Sequence, residues 1–219
     1  MGIEIDLLRN YPKSNRDIDA RAEEKTEEDR EIARRFGREF FDGERKTGYG
    51  GFSYNSKYWS PVVPDFIEHF SLKPHDSLLD VGCAKGFMLN DLIDAVPELE
   101  VVGVDISDYA IENSLASVRD HLHVASAVSL PFPDKQFDVV ISINTIHNLE
   151  LEECKKALQE IERVSRRGSF ITVDAFRNEV ERERMMKWNL TAKTILSVDD
   201  WKKLFIDVGY SGDYFWFIP

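Results

Sequence analysis

The chain has only two cysteines among its 219 residues, Cys83 and Cys154. Secreted domains that depend on disulfides carry more of them, so we expect reduced thiols and no disulfide framework. The sequence also lacks an apolar run approaching the ~20 residues that a membrane span needs, and no charged and then apolar leader opens it. These absences favour a cytoplasmic protein with no membrane partner.

Positive charge is scarce as well. Lys and Arg number 28 against 40 Asp and Glu, which gives a formal net charge of -12. A protein that follows the phosphates of a nucleic acid needs a basic surface, so this balance predicts no nucleic-acid partner and a small molecule as substrate. The length and the hydrophobic content of 42% suffice for one cored domain with an appended segment.

Residues 1–75 differ in character from the rest and are predicted to form a helical and aromatic cap, a lid over a core of residues 76–219. Within this cap, residues 26–43 predict one amphipathic helix with Thr26 as its N-cap and Gly43 at its end. A glycine-rich loop with many aromatic residues follows. We expect the loop either to close over a ligand or to dock the helix onto the core. Its aromatic residues are Tyr49, Phe52, Tyr54, Tyr58 and Trp59.

From Ser77 onward, apolar β-type runs alternate with amphipathic helical segments. This alternation predicts an α/β fold: a doubly wound, mostly parallel sheet with helices on both faces. Only one strand-forming run, residues 213–219, remains after the last helix, so an edge of the sheet needs cover from the N-terminal segment or from a second copy in a homodimer. The predicted strands begin at Ser77 and continue with residues 100–106, 121–126, 137–144 and 169–175. The predicted helices are residues 87–96, 108–122, 151–166 and 198–209.

The most informative stretch is SLLDVGCAKGF, residues 77–87. An apolar run that contains Asp80 is followed by Gly82 and Gly86, which predicts a strand, a tight turn and a helix N-terminus. Small residues let the backbone approach a ligand, and the first N–H groups of the helix can donate to it. The next strand ends in Asp105, 105 − 82 = 23 residues after Gly82. A carboxylate at that place can accept both hydroxyls of a ribose.

The turn departs from two phosphate-binding patterns. The dinucleotide fingerprint needs glycine at positions 82, 84 and 87, but Ala84 and Phe87 occupy two of them, which disfavours NAD. A Walker loop needs lysine directly after its last glycine, but Lys85 precedes Gly86, which disfavours ATP hydrolysis. We therefore expect a ligand with a free ribose diol and no pyrophosphate.

Three motifs in order, LLDVGCAKGF, GVDIS and AVSLPFPDKQFDVVISINTIHNL, resemble those of class I S-adenosylmethionine-dependent methyltransferases of the small-molecule type called methyltransferase type 11. The resemblance covers roughly residues 77–174 and implies a Rossmann-like fold that binds S-adenosylmethionine and releases S-adenosylhomocysteine. It also implies cofactor-binding positions. These are Asp80, Gly82, Cys83, Ala84 and Gly86 at the methionine end, Asp105 on the ribose, Ile106, Ser126 and Ala127 at the adenine, and Asn144 beneath the sulfonium.

Two further expectations concern the same site. Ala84 stands where the family most often has a third glycine, so we expect the backbone angle φ of Ala84 to be negative. Tyr49 in the aromatic loop is expected to contact the cofactor from the cap, because ring faces attract a sulfonium cation.

A methyl acceptor that carries a proton also needs a base. His147 is the first choice, because it follows the fourth strand at the edge where open α/β sheets bind ligands. Asp174, at the end of the fifth strand, and Tyr54 in the aromatic loop are the alternatives. His121 and His123 share one side of a strand but lack a third ligand at metal-binding spacing, so no metal site is expected.

The sequence thus predicts methyl transfer to a small-molecule acceptor, with O-methylation favoured over N-methylation because a base candidate exists. Similar enzymes suggest a sugar derivative or another metabolite as the acceptor, by analogy. The segment after the fifth strand, with Arg177, Trp188 and Asn189, is expected to form the second wall of the acceptor site. Two alternatives stay open: methylation of a protein, and cofactor binding without catalysis.

Overall fold

The computed structural model describes residues 2–13, 18–19, 25–50 and 53–219, and Phe52 of the aromatic loop lies outside them. In the described part of the cap, helices cover short stretches before the sheet begins. They are α1 (Glu27–Ala33), α2 (Arg38–Asp42), α3 (Ser56–Trp59) and α4 (Val63–Phe70).

The prediction of one helix over residues 26–43 was wrong in its continuity. The helix is interrupted between α1 and α2, where Phe36 adopts the left-handed region with φ of 50° and Gly37 becomes the N-cap of α2. Both predicted ends are confirmed. Thr26 and Asp29 form a reciprocal capping box, and Gly43 is the C-cap of α2.

The core holds a seven-stranded sheet. Its strands are β1 (Ser77–Val81), β2 (Glu100–Asp105), β3 (Leu122–Val124), β4 (Phe137–Ile143), β5 (Ser165–Phe176), β6 (Leu196–Ser197) and β7 (Asp213–Phe217). Its helices are α5 (Phe87–Ala95), α6 (Asp108–Glu112), α7 (Leu151–Val164), α8 (Glu179–Trp188) and α9 (Val198–Val208), with 3-10 turns at Arg119–His121 and Ile146–Asn148. The helix predicted for residues 108–122 is therefore shorter than expected. The Asn113 and Ser114 side chains donate to helix carbonyls just where it ends.

The sheet is doubly wound, as predicted. The strand order is β3-β2-β1-β4-β5-β6, β7 also pairs with β5, and the pairings between these strands are parallel. Alternate residues of β4 enter different cores. Val140 packs in the cluster that contains residues of α7 and α9, whereas Val139 and Ile141 pack in the cluster that contains residues of α4 and α5. Helices thus cover both faces and leave open the carboxyl ends of the strands, the edge at which open α/β sheets generally bind ligands.

The N-terminal residues extend the sheet beyond β7. Glu4 forms a parallel bridge with Tyr214, whose carbonyl accepts the Ile5 N–H at 3.0 Å and whose N–H donates to the Ile3 carbonyl at 3.1 Å. The expected cover by the N-terminal segment is confirmed, and the homodimer stays a prediction.

In the described residues, no helix combines the length and the apolar character required to cross a bilayer. The same residues hold no group of three or more His, Cys, Asp or Glu side chains arranged to hold a metal ion.

Candidate functional site

The turn after β1 is tied tightly to the neighbouring strands. The N–H groups of Gly82 and Cys83 donate to the Val104 carbonyl of β2 at 2.7 and 3.0 Å. Gly82 has φ of 89°, and a Cβ atom there would lie 2.1 Å from Oγ1 of Thr145, which follows β4. Only glycine fits this position, because both the backbone angle and the contact with Thr145 exclude a side chain.

The expectation that Ala84 keeps a negative φ was wrong. Ala84 has φ of 50°, a left-handed conformation that costs a non-glycine residue about 1 kcal/mol. Its N–H donates to Oδ2 of Asp105 at 2.8 Å, and this charge-assisted bond holds the strained residue in place. The turn is therefore shaped by the carboxylate at the end of β2.

Two acids meet at the carboxyl ends of β1 and β2, and no cation among the described residues pairs with either. Asp80 is only 6% exposed, and no described residue donates a hydrogen bond to its carboxyl group. Burial and the nearby charge of Asp105 raise the pKa of Asp80 to about 7. Asp105 accepts the N–H groups of Ala84 and Ser107, yet burial still raises its pKa. A positively charged ligand would reduce the unfavourable electrostatic energy of these two buried carboxylates.

The predicted cofactor positions lie on one edge of the sheet, but their side chains differ in solvent exposure. Ile106, next to Asp105, is 59% exposed and so presents an apolar surface on which a flat ring could pack. Ser126 and Ala127 are half-buried just after β3. Cys83 is buried, and its sulfur lies against Gly103 of β2, so only its backbone faces the turn. Gly86 is the N-cap of α5, with φ of 75°.

Asn144 is exposed at the end of β4 in the left-handed region, with φ of 52°. Its backbone N–H donates to Oγ1 of Thr172 at 2.9 Å, and the Thr172 hydroxyl donates to Oδ1 of Asn144 at 2.9 Å. Because both contacts come from one hydroxyl of β5, the Asn144 amide is held in a fixed orientation. Sequence reasoning missed both threonines. Thr172 lies outside the three motifs, and Thr145 lies within the third motif but was given no role.

His147 and Asp174 form a buried pair behind this edge. Nδ1 of His147 accepts the backbone N–H of Asp174 at 3.0 Å, and Nε2 lies 3.7 Å from Oδ1 of Asp174. Burial lowers the pKa of His147 to about 3 and raises the pKa of Asp174 to about 7. The imidazole is therefore neutral with its proton on Nε2, and Asp174 is the member of the pair that titrates near neutrality.

The two tyrosines predicted as site residues connect the cap to different elements. The Tyr54 hydroxyl donates to Oδ1 of Asp91 on α5 at 2.5 Å, and this bond raises the pKa of Tyr54. The Tyr49 hydroxyl accepts the Leu190 N–H at 3.0 Å, and its ring stacks on Trp188. Tyr54 thus docks the cap, while Tyr49 joins the cap to the segment after β5. Their catalytic and cofactor roles stay predictions.

A cavity of about 220 Å³ lies between the cap and the turn. Rings of the cap, among them Phe40, Tyr49 and Trp59, form most of its wall, and Ala84 and Lys85 of the turn close the other side. The sequence predicted the aromatic wall but not the role of Lys85, which pairs with Asp42 of α2 at 2.6 Å.

Residues 79–173 match a family model described as a methyltransferase domain. A tRNA (carboxymethyluridine(34)-5-O)-methyltransferase of Arabidopsis thaliana is 34% identical over 144 residues, which cover 64% of this chain and 33% of that protein. A demethylmenaquinone methyltransferase of Symbiobacterium thermophilum is 30% identical over 155 residues, which cover 65% of this chain and 59% of that protein. The chain thus matches between a third and three fifths of the length of these relatives.

A solved structure shares the fold. It is a Haemonchus contortus phosphoethanolamine N-methyltransferase 2 in complex with phosphomonomethylethanolamine and S-adenosylhomocysteine. The TM-score is 0.52 at 20% identity, and the match covers 66% of this chain and 35% of that one.

Proposed function

We propose, from the premise that this chain carries a class I S-adenosylmethionine-dependent methyltransferase domain, that it methylates a small-molecule acceptor. The observation that carries the proposal is the pair Asp80 and Asp105. No described cation pairs with these two acids, and they lie beside a turn in which Gly82 has no room for a side chain. Burial disfavours the charged forms of both acids, and for Asp105 the hydrogen bonds from the Ala84 and Ser107 N–H groups offset this cost only in part.

The residues present fit S-adenosylmethionine. This cofactor carries an ammonium, a sulfonium and a ribose diol, and when bound it supplies an electrophilic methyl group. The Asp80 carboxyl group, which no described residue satisfies, suits the positive methionine end. Asp105 would accept the ribose hydroxyls, and the exposed Ile106 would pack on the adenine, with Ser126 and Ala127 at its edge.

The protein's own contribution is to position the acceptor and to exclude water. Alignment of two reactants can contribute about 7 to 11 kcal/mol to a rate, so a rigid site is the main requirement. The Asn144 amide, fixed by Thr172, offers donors at the end of β4. The cap, residues 1–75, would cover the site on the core of residues 76–219.

O-methylation requires that a proton leave the acceptor. Asp174 and His147 are the groups that we propose for this step, and Asp174 has the better-matched pKa, about 7. Nε2 of His147 lies 3.7 Å from that carboxyl group, and burial is what raises the pKa of Asp174.

The proposal of a small acceptor rests on charge and size. The net charge of -12 repels a polyanion, and a cavity of about 220 Å³ walled by aromatic rings suits a compact metabolite with a hydroxyl group. One relative is named for tRNA methylation, so RNA has to be tested directly.

The experiment has two stages. Calorimetry first measures the binding of S-adenosylmethionine and S-adenosylhomocysteine, and no binding at submillimolar concentration rejects the proposal. Methyl-labelled cofactor is then offered with three separate pools: small metabolites, tRNA and protein. We expect label in the metabolite pool alone. Label in tRNA or protein contradicts the acceptor class, and binding without label in any pool identifies a binding protein that lacks catalysis.

A further inference from the structure

One ion pair fastens the cap to the turn after β1. Lys85 lies within that turn with its side chain 8% exposed, and Nζ lies 2.6 and 2.7 Å from the two carboxylate oxygens of Asp42 at the end of α2. The Tyr109 hydroxyl donates to Oδ2 of Asp42 at 2.8 Å. Burial acts to raise the pKa of Asp42, but the bonds from Lys85 and Tyr109 outweigh it and hold this pKa below its usual value. The Asp42 carboxyl group is therefore charged at neutral pH.

The position of Lys85 connects this ion pair to the proposed cofactor site. Lys85 directly follows Ala84, whose strained backbone donates to Asp105. The Ser107 hydroxyl, just after Asp105, donates to the Phe36 carbonyl of the cap. Residues 36–42 of the cap thus contact both loops, after β1 and after β2, that present the ribose and methionine contacts.

The other cap contacts lie elsewhere. Tyr54 and Ser60 bind Asp91 in the body of α5, and Tyr49 binds the Leu190 N–H. None of these contacts involves the turn itself. Asp42 of α2, in contrast, binds a side chain of the turn directly.

We propose that the Asp42–Lys85 ion pair is a latch that positions the cofactor-binding turn and retains the bound cofactor under the cap. The inference rests on the proposed function. Separating the pair moves a carboxylate away from a mostly buried ammonium, which is unfavourable, so the closed cap is the preferred state. Cofactor dissociation must then wait for the latch to open. Lys85 acts here as a positioning residue.

The test compares dissociation rates of S-adenosylhomocysteine. Asp42→Asn and Lys85→Met should each accelerate dissociation, measured by stopped-flow displacement, by about tenfold, because the closed cap loses the ion pair that favours it. The double variant should dissociate no faster than the single ones, since both substitutions remove the same interaction. If Lys85→Met does not fold, Asp42→Asn carries the test, because the Asp42 side chain is 29% exposed and its substitution is isosteric.

Asp65→Asn is the matched control. Asp65 is a buried acid that pairs with Arg9 and so anchors the N-terminal residues to α4, away from the turn. The Asp65→Asn variant should release S-adenosylhomocysteine at the wild-type rate. Equal rates for wild type and Asp42→Asn, or acceleration by Asp65→Asn to the same extent, overturn the latch.

Hydrogen exchange separates this proposal from the function on which it rests. In the ligand-free protein, amides of residues 38–42 should exchange faster in Asp42→Asn than in the wild type, because the cap opens more often. Unchanged exchange counts against the latch whether or not a cofactor binds. Failure of the wild type to bind S-adenosylhomocysteine, in contrast, overturns the proposed function.

Discussion

Aspartate side chains have opposite environments at the amino and carboxyl ends of the strands. At the amino end, Asp138 accepts bonds from Ser77 and pairs with Arg166 at 2.7 Å. Burial acts to raise the pKa of Asp138, but these bonds outweigh it and lower the pKa. At the carboxyl end, Asp80 and Asp105 share a buried edge with raised pKa values, and no described residue supplies Asp80 with a cation.

This difference separates the acids that stabilise the fold from those that are placed to bind a ligand. Paired acids at the amino end gain hydrogen bonds that unfolding would remove. At the carboxyl end, the charged form of Asp80 reduces stability because no described residue pairs with it, and such groups concentrate at functional sites. The account therefore predicts that substitutions at the two ends change different quantities.

The largest expected effect is on cofactor binding. Asp105→Ala removes the proposed ribose acceptor and the bond that holds Ala84, so affinity for S-adenosylhomocysteine should fall by about 2 to 3 kcal/mol in calorimetry. Asp138→Ala is the matched substitution at the amino end and should leave affinity unchanged while lowering stability. Wild-type affinity in Asp105→Ala would remove the ribose assignment.

The next effect concerns stability alone. Arg163 makes five hydrogen bonds, to Glu160, Asp134 and the Leu130 and Phe132 carbonyls, at the amino end of the sheet. Arg163→Met should lower the free energy of unfolding in urea by about 2 kcal/mol, with unchanged cofactor affinity. An unchanged free energy of unfolding would show that the paired acids contribute little, and the contrast between the two ends would disappear.

A smaller effect concerns stability at pH 8. Its sign should be opposite for substitutions of Asp80 at the carboxyl end and Asp138 at the amino end. Asp80 has a raised pKa of about 7, so the folded protein binds more protons than the unfolded chain between about pH 4 and 7, and stability falls as pH rises through that window. Asp80→Asn should therefore stabilise the ligand-free protein by about 1 to 2 kcal/mol at pH 8 and have little effect at pH 4.

Thermal unfolding at both pH values measures this prediction. Asp138→Asn is the control, because a lowered pKa stabilises the fold above the usual carboxyl pKa and this stability is lost as pH falls. That variant should be destabilised at pH 8. Destabilisation of Asp80→Asn at pH 8 would mean that Asp80 has a partner in the fold.

The smallest effect comes from backbone strain in the turn. Ala84→Gly should raise the free energy of unfolding by about 0.5 to 1 kcal/mol, since glycine adopts positive φ without the penalty. Ala116→Gly, at an exposed position without positive φ, should give no gain. Equal changes in both variants would mean that Ala84 is not strained.

Local features of this fold were predictable from sequence. Strand, turn and helix from Ser77 to Ala95 follow from apolar runs and glycines, and the cap at Thr26 follows from the acid three residues later. These signals lie within a few residues of each other, so a linear pattern contains them. The two acids of the site could likewise be placed, because the ends of parallel strands meet at one edge.

Contacts between distant segments could not be read in this way. Asp42 and Lys85 lie 43 residues apart, and no periodicity links them. His147 was correctly placed after β4, but its burial depends on the segment after α8, where the N–H groups of Lys193 and Thr194 donate to the His147 carbonyl. The positive φ of Ala84 depends on the hydrogen bond to Asp105, which only the folded sheet supplies.

The proton balance of cofactor binding tests the central claim most directly. Titrating S-adenosylhomocysteine at pH 7 in buffers of different ionisation enthalpy counts the protons exchanged. Because the ligand ammonium should lower the raised pKa of Asp80, the wild type should release about half a proton per ligand. Asp80→Asn should release none. Tight binding by the wild type without proton release would contradict the claim that these acids bind the cationic part of the ligand.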